Sequence, residues 1–179
     1  MILPLALILI FVVGCQDKEA MAELEESRTQ AAVEEQNKAI MIRLIEEMDK
    51  GNFDIFDELS SDDYVCHFSW IPEPLNREAR KQFMKATMVS FPDFNHTIED
   101  VISQGDKVVI RFTNRGTHKG AFKGIPPTGK EIEYTAIFIG RFVDGKVVET
   151  WVEANILGLM QQLGWSLSQK RENSLTSLI

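Results

Sequence analysis

The stretch KEIEYTAIFIGRFVDGKVVETWVE, residues 130–153, decides the reading of the fold. Ile132 to Val143 is rich in β-branched and aromatic residues, and Lys146 to Glu153 alternates apolar with polar. Asp144-Gly145 stands between them. An Asp-Gly pair joining two such runs predicts a tight hairpin, because a primed turn needs positive φ, which Gly accepts freely and Asp tolerates. Alternation along the second strand puts Glu149, Trp151 and Glu153 on one face, and Thr150 and Val152 on the other.

Downstream, Asn155 to Gly164 reads as a short helix carrying Leu157, Met160 and Leu163, and residues 165–179 as a polar tail. Upstream lies a loop from Gly116 to Lys130 whose glycines and Pro126-Pro127 exclude both helix and central strand. Two further strands precede it, Phe94 to Ser103 and Lys107 to Arg115, joined by a turn at Gln104-Gly105-Asp106. Asn76 is placed to cap a helix reaching Ser90, with Ala79, Phe83, Ala86 and Thr87 on one side. Tyr64 to Trp70 alternates as a strand, with Tyr64, Cys66, Phe68 and Trp70 facing one way and Val65, His67 and Ser69 the other. A short helix is expected over Phe53 to Leu59. Before it, Ile40, Met41, Leu44, Ile45 and Met48 fall at helical spacing, with Gly51 as the stop. Helices followed by consecutive antiparallel strands give an α+β domain over residues 36–164. Packed into a strongly curved, mainly antiparallel sheet, the N-terminal helices would leave a cone-shaped barrel enclosing a pocket.

The chain has 179 residues and a net charge of −8. Residues 16–36 hold seven acids against Lys18 and Arg28, so −5 of that charge sits there and −3 remains for residues 37–179. Residues 15–35 therefore read as an acidic tether with helical tendency. The nearly balanced domain has no basic stripe for a phosphate backbone, which argues against nucleic acid as a partner. Ile2 to Val13 is an apolar run about as long as a signal-peptide core, ending in Val12-Val13-Gly14-Cys15. Small residues running into Cys15 resemble a bacterial lipobox. Residues 1–14 are then expected to be a lipoprotein signal peptide and Cys15 the lipidated residue, anchoring the protein at the cell envelope, outside the cytoplasm. No basic residue precedes the run, so the n-region is missing or the true start lies upstream. A plain membrane anchor or an ordinary signal peptide is the alternative. With Cys15 acylated, Cys66 has no disulfide partner and reads as a small buried hydrophobe. Two lone cysteines make no zinc site.

Five segments resemble one family in order and spacing. They are Phe91-Pro92-Asp93-Phe94; Gly105-Asp106-Lys107-Val108 leading to Gly116-Thr117-His118-Lys119-Gly120; Gly124 to Lys130; Asp144 to Trp151; and Gln162-Leu163-Gly164. Together they are similar to the SnoaL-like polyketide cyclases, often called ester cyclases, of the nuclear-transport-factor-like superfamily. The resemblance implies a cone-shaped α+β barrel, commonly a homodimer, with an apolar pocket for a small hydrophobic carbonyl or ester compound. It also implies an intramolecular aldol step with no cofactor, metal or covalent intermediate. An acid/base aspartate on the final strand moves the proton, and histidines nearby assist. Such a base must reach the substrate's α-proton and have its pKa raised by an apolar pocket.

At the positions where the resemblance places this machinery the chain carries Phe138, Thr150 and Val152, and Asn155 replaces a second aspartate. Glu149 and Glu153 are the carboxylates left on that strand, and only a bulge would re-aim Glu153 inward. The remaining catalytic candidates are His67, Glu153 and Asn155. His67 reads either as a pocket base or as an ordinary satisfied histidine. Substrate-binding candidates are Trp70, Arg111, His118, Tyr134 and Trp151. Arg111 reads as a buried mid-strand cation, paired with Glu133, Glu149 or Glu153 or else holding a substrate oxygen. His118, beside the glycine-rich rim loop, reads as structural or gating, and Trp151 also as a core or dimer-face residue. His96 is expected to be exposed. Three functions follow: a SnoaL-like cyclase or isomerase, a non-catalytic module binding a hydrophobic small molecule, or a tethered structural or dimerisation domain.

Overall fold

In the computed structural model, residues 3–166 are described, with side chains from residue 18 onward. The chain runs α1 (Leu3–Asp49), α2 (Ile55–Leu59), β1 (Ser60–Phe68), β2 (Leu75–Asn76), α3 (Arg77–Ser90), β3 (Asn95–Gln104), β4 (Lys107–Thr117), β5 (Glu131–Val143), β6 (Lys146–Ala154) and α4 (Ile156–Gln162). The quoted hairpin is β5–β6. Asp144 and Gly145 at its tip take φ of 49° and 73°, the two positive values the turn requires.

The six strands form one sheet in the order β2-β1-β6-β5-β4-β3. It is mixed: β3 to β6 pair antiparallel with their neighbours, as do β1 and β2, but β1 runs parallel to β6. β1 and β6 lie far apart in the chain, so no hairpin constrains their direction. β2 and β3 are the two edges of the order and do not pair with each other, so hydrogen bonding leaves the sheet open. The α+β class expected from the sequence holds; a closed ladder does not form.

The C-terminal part of α1 packs on the sheet through Met41, Leu44, Ile45 and Met48, all essentially buried. Gly140, in the middle of β5, makes that approach possible. A Cβ there would lie 2.7 Å from Met41 Sδ, so a side chain would displace the Met41 thioether from its place against the strand. The acidic segment is not a separate linker: α1 is continuous from Leu3 to Asp49, so the tether and the first domain helix are one element. Among the described residues no helix is long and apolar enough to cross a membrane. The Cys15 side chain, and the expected tail from residue 167 onward, lie outside what is described.

Asn76 caps α3 as its position predicts, accepting a hydrogen bond from the Ala79 backbone N–H. The buried face of α3 differs from the expected one. Arg80, Lys81 and Met84 are buried, Phe83 and Thr87 are half-buried, and Ala86 is exposed. Ala79 is half-buried too, so only Ala86 departs from the expected side, and the most buried positions include two cations that apolar spacing does not reveal. Lys81 reaches Asp57 at 2.8 Å and Asp54 at 3.1 Å, whereas Arg80 enters an aromatic cluster.

Candidate functional site

The inner face of the sheet, α1 and α3 enclose a small cavity of about 60 Å³, room for a few waters or a slim ligand. Aromatic and aliphatic side chains dominate the lining, and no Asp or Glu is part of it. Seven of its residues carry polar groups: Trp70, Arg80, Thr87, His96, Asn114, Lys123 and Tyr134.

Three of these stand in one row across the sheet. His96 on β3 is opposite Asn114 on β4, which is opposite Tyr134 on β5. Strand pairing therefore aims all three at the same space. The His96 side chain is only 6% exposed, a correction to its expected exposure. Asp49, the last residue of α1, holds it from behind. One carboxylate oxygen lies 2.5 Å from His96 Nδ1, and the other accepts the His96 backbone N–H at 3.0 Å. Phe94 and Phe112 meet the imidazole edge-on, with ring centroids 5.1 and 4.9 Å away. Because a carboxylate only accepts, Nδ1 is the donor in this contact, and in the neutral ring Nε2 is then the acceptor nitrogen. The Asn114 amide is buried, and its Oδ1 has no hydrogen-bond partner. Burial holds the Tyr134 phenol well above its ordinary pKa, with Arg80 opposing, so the hydroxyl stays a donor at neutral pH.

Of the eight catalytic and substrate-binding candidates read from the sequence, Trp70 and Tyr134 line this cavity. The other six lie elsewhere. His67 and Trp151 are on the opposite face of the sheet, stacked on each other with centroids 5.8 Å apart. His67 Nε2 lies 2.9 Å from Glu149, and Arg141 donates to the same carboxylate at 2.9 Å. Burial alone would push the Glu149 carboxyl up, but those two partners outweigh it and hold it below its ordinary range. Glu153 is exposed in a shallow groove with Arg111 and Asn155. The irregularity in the β5–β6 register falls between Arg141 and Phe142, upstream of Glu153, so alternation runs unbroken to Glu153 and keeps it outside. Asn155 is the N-cap of α4, accepting from the Gly158 N–H.

Arg111 is exposed, not buried, and pairs with Asp100 across the β3–β4 ladder. A carboxylate pair was expected, but the partner is Asp100, which stands directly opposite Arg111 on β3, whereas Glu133 on β5 faces Arg115. His118 is fully buried outside the cavity lining. Its Nδ1 accepts from the Thr128 backbone N–H, and its ring packs on Phe91. It fastens the rim loop, whose Phe122 and Lys123 do reach the cavity.

The expected machinery positions face inward but hold no titratable group. Phe138 and Val152 line the cavity, and Thr150 shares a buried 2.6 Å hydrogen bond with Tyr64. Sequence reasoning missed Asp49, Arg80 and Asn114 and misplaced His96. Arg80 carried a signal, since it precedes Phe83, Met84 and Thr87 at helical spacing. Among the described residues no three His, Cys, Asp or Glu side chains converge as metal ligands would.

Comparison with known proteins agrees with this architecture. A search of curated proteins gives no match. Among solved structures, IdmH from Streptomyces antibioticus, a candidate polyketide cyclase, is 32% identical with a TM-score of 0.65, covering 73% of this chain and 99% of its own. AclR from Streptomyces galilaeus, a candidate hydroxylase, is 27% identical with a TM-score of 0.67, over 73% of this chain and 97% of its own. A candidate SnoaL-like polyketide cyclase from Jannaschia shares the fold, with a TM-score of 0.70 at 24% identity over 75% of this chain and 95% of its own. The family model for SnoaL-like polyketide cyclases matches residues 39–163, from within α1 to the end of α4. The chain belongs to the SnoaL-like polyketide cyclase family.

Proposed function

We propose that the protein performs cofactor-free acid/base chemistry on a small apolar carbonyl or ester compound, with the His96–Asp49 pair replacing the aspartate of the last strand. The observation that carries this reading is a histidine held by a carboxylate at 2.5 Å and facing an apolar cavity, in register with Asn114 and Tyr134. His96 Nε2 takes the proton from the carbon next to a carbonyl. The electron pair moves onto the carbonyl oxygen, which accepts hydrogen bonds from the Tyr134 hydroxyl and the Asn114 amide. The resulting carbanion attacks a second carbonyl of the same molecule, closing a ring. The alkoxide formed then recovers the proton from His96. In an isomerisation the proton returns to a different carbon instead. Protons balance in both, and no oxidant is needed.

Around this site we place a sheet wrapped as a cone over the cavity, a homodimer, and an envelope location through a lipidated Cys15. The wrapping is supported by a single cavity that gathers residues from both halves of the sheet, Trp70 just after β1 and His96 on β3. The anchor is supported by the apolar run ending at Cys15. A hydrophobic-ligand carrier without turnover is the second reading, favoured by the absence of any carboxylate from the cavity wall.

The test is deuterium uptake at the α-carbons of methyl levulinate in heavy water, with the full chain as catalyst. Saturable uptake above the buffer rate is expected, falling by about 10³-fold in His96→Ala. Saturable binding with no uptake would establish the carrier instead. Uptake indifferent to His96 would remove the proposed base.

A further inference from the structure

Arg80 is the buried charged residue of the cavity lining that the proposed proton transfer leaves unused. It is 5% exposed, and its Nε and Nη1 have no hydrogen-bond partner. Its Nη2 has only Met48 Sδ, a weak acceptor 4.0 Å away. The rings of Phe56, Phe68 and Phe83 surround the guanidinium, with centroids 5.6, 5.1 and 5.8 Å from Cζ. An aromatic cage attracts the charge but offers no lone pairs to the N–H groups. Among the described residues no Asp or Glu pairs with Arg80, although Arg43, Arg77, Arg111, Arg115 and Arg141 each form such a pair. A guanidinium does not escape this by losing its proton. Lys123 on the rim loop also borders the cavity but is exposed to solvent, so the unmet charge is that of Arg80. A buried cation with unmade hydrogen bonds is the complement of an anion that is not part of the chain.

We propose that Arg80 is an anion subsite, and that the ligand carries a carboxylate at one end of a small apolar chain. Resting on the reading of the cavity as the ligand site, this narrows the substrate class from esters and neutral ketones to keto acids. In such a ligand Arg80 fixes the carboxylate, the phenylalanine cage covers the adjoining methylenes, and the carbonyl end extends toward the row of His96, Asn114 and Tyr134. Arg80 is thus a specificity-determining residue, separate from the proton-transfer group.

The experiment is a pair of chemical-shift titrations of the full chain, with levulinate and with methyl levulinate. They differ in the charge and in one methyl group. The wild type is expected to bind levulinate roughly 30-fold more tightly than the ester, the usual worth of hydrogen bonds to a charged partner. Arg80→Met keeps the volume and the apolar character of the cage; it is expected to bind the ester as before and to lose the preference for the acid. Equal binding of the two probes by the wild type, which requires no variant, overturns the subsite while leaving the cavity reading intact. A preference for levulinate that survives in Arg80→Met also overturns it. Binding of neither probe overturns both readings together.

Discussion

The protein carries two histidine–carboxylate pairs of similar length on opposite faces of one sheet. On the inner face, His96 and Asp49 stand 2.5 Å apart; on the outer face, His67 and Glu149 stand 2.9 Å apart. In isolation the pairs are chemically alike. Their surroundings are not. Glu149 also accepts two hydrogen bonds from Arg141, and His67 lies flat on Trp151, with a third of its side chain in water. That pair is a link in a surface network whose carboxylate is already spoken for. Asp49 has no arginine partner among the described residues and accepts both the ring and the backbone N–H of His96, whose side chain lines the apolar cavity. A histidine–carboxylate motif is therefore uninformative until the face it occupies is known. The outer pair cross-links strands, and the inner pair borders the cavity, where the proposed proton transfer would use it.

Substitutions can break this comparison in order of expected size. His96→Ala should lower α-proton exchange on methyl levulinate by about 10³-fold, while His67→Ala leaves it within about twofold. Comparable losses in both would erase the distinction between the faces. Tyr134→Phe, which deletes only the hydroxyl donor, is expected to cost about 10²-fold in exchange rate with little change in melting temperature. Asp49→Asn keeps the shape but loses the obligate acceptor at Nδ1. A loss of about 10- to 100-fold in exchange rate is expected, because the ring tautomer is no longer fixed.

The outer pair should instead register in stability. Glu149→Gln is expected to cost about 1 kcal/mol in urea unfolding at neutral pH, the scale of a partly exposed ion pair. Glu149 gives up its proton more readily in the folded protein than in the unfolded chain. Its contribution is then complete above the unfolded carboxyl value near about 4.3 and disappears as pH falls through the depressed folded value. The wild type and Glu149→Gln should therefore converge in stability on acidification; a difference that persists to low pH would contradict this assignment.

The fold was legible in the sequence because its cues are local. Asp144-Gly145, Gln104-Gly105-Asp106 and Asn76 each announce a turn or cap at the residue that makes it. Burial also obeyed alternation along β1 and β6, where one face is core. The site resisted the same reasoning for two physical reasons. His96 and Asp49 are 47 residues apart and meet only when the end of α1 reaches the edge strand β3, a contact that no periodicity encodes. And β3 carries polar residues on both faces, so alternation there does not say which face looks inward. Arg80 was hidden differently: on an apolar helix face a charged residue reads as a boundary, whereas here the three phenylalanines accommodate it. His67 drew attention because it sits in a well-patterned strand, and that same pattern put it outside.

The central claim, that the inner pair and not the outer one meets the ligand, is tested most directly by NMR of isotopically labelled histidine ring nitrogens during a titration with methyl levulinate. The account predicts a saturable shift of the His96 ring nitrogens with those of His67 and His118 unmoved. A saturable shift at His67 with His96 silent would contradict it.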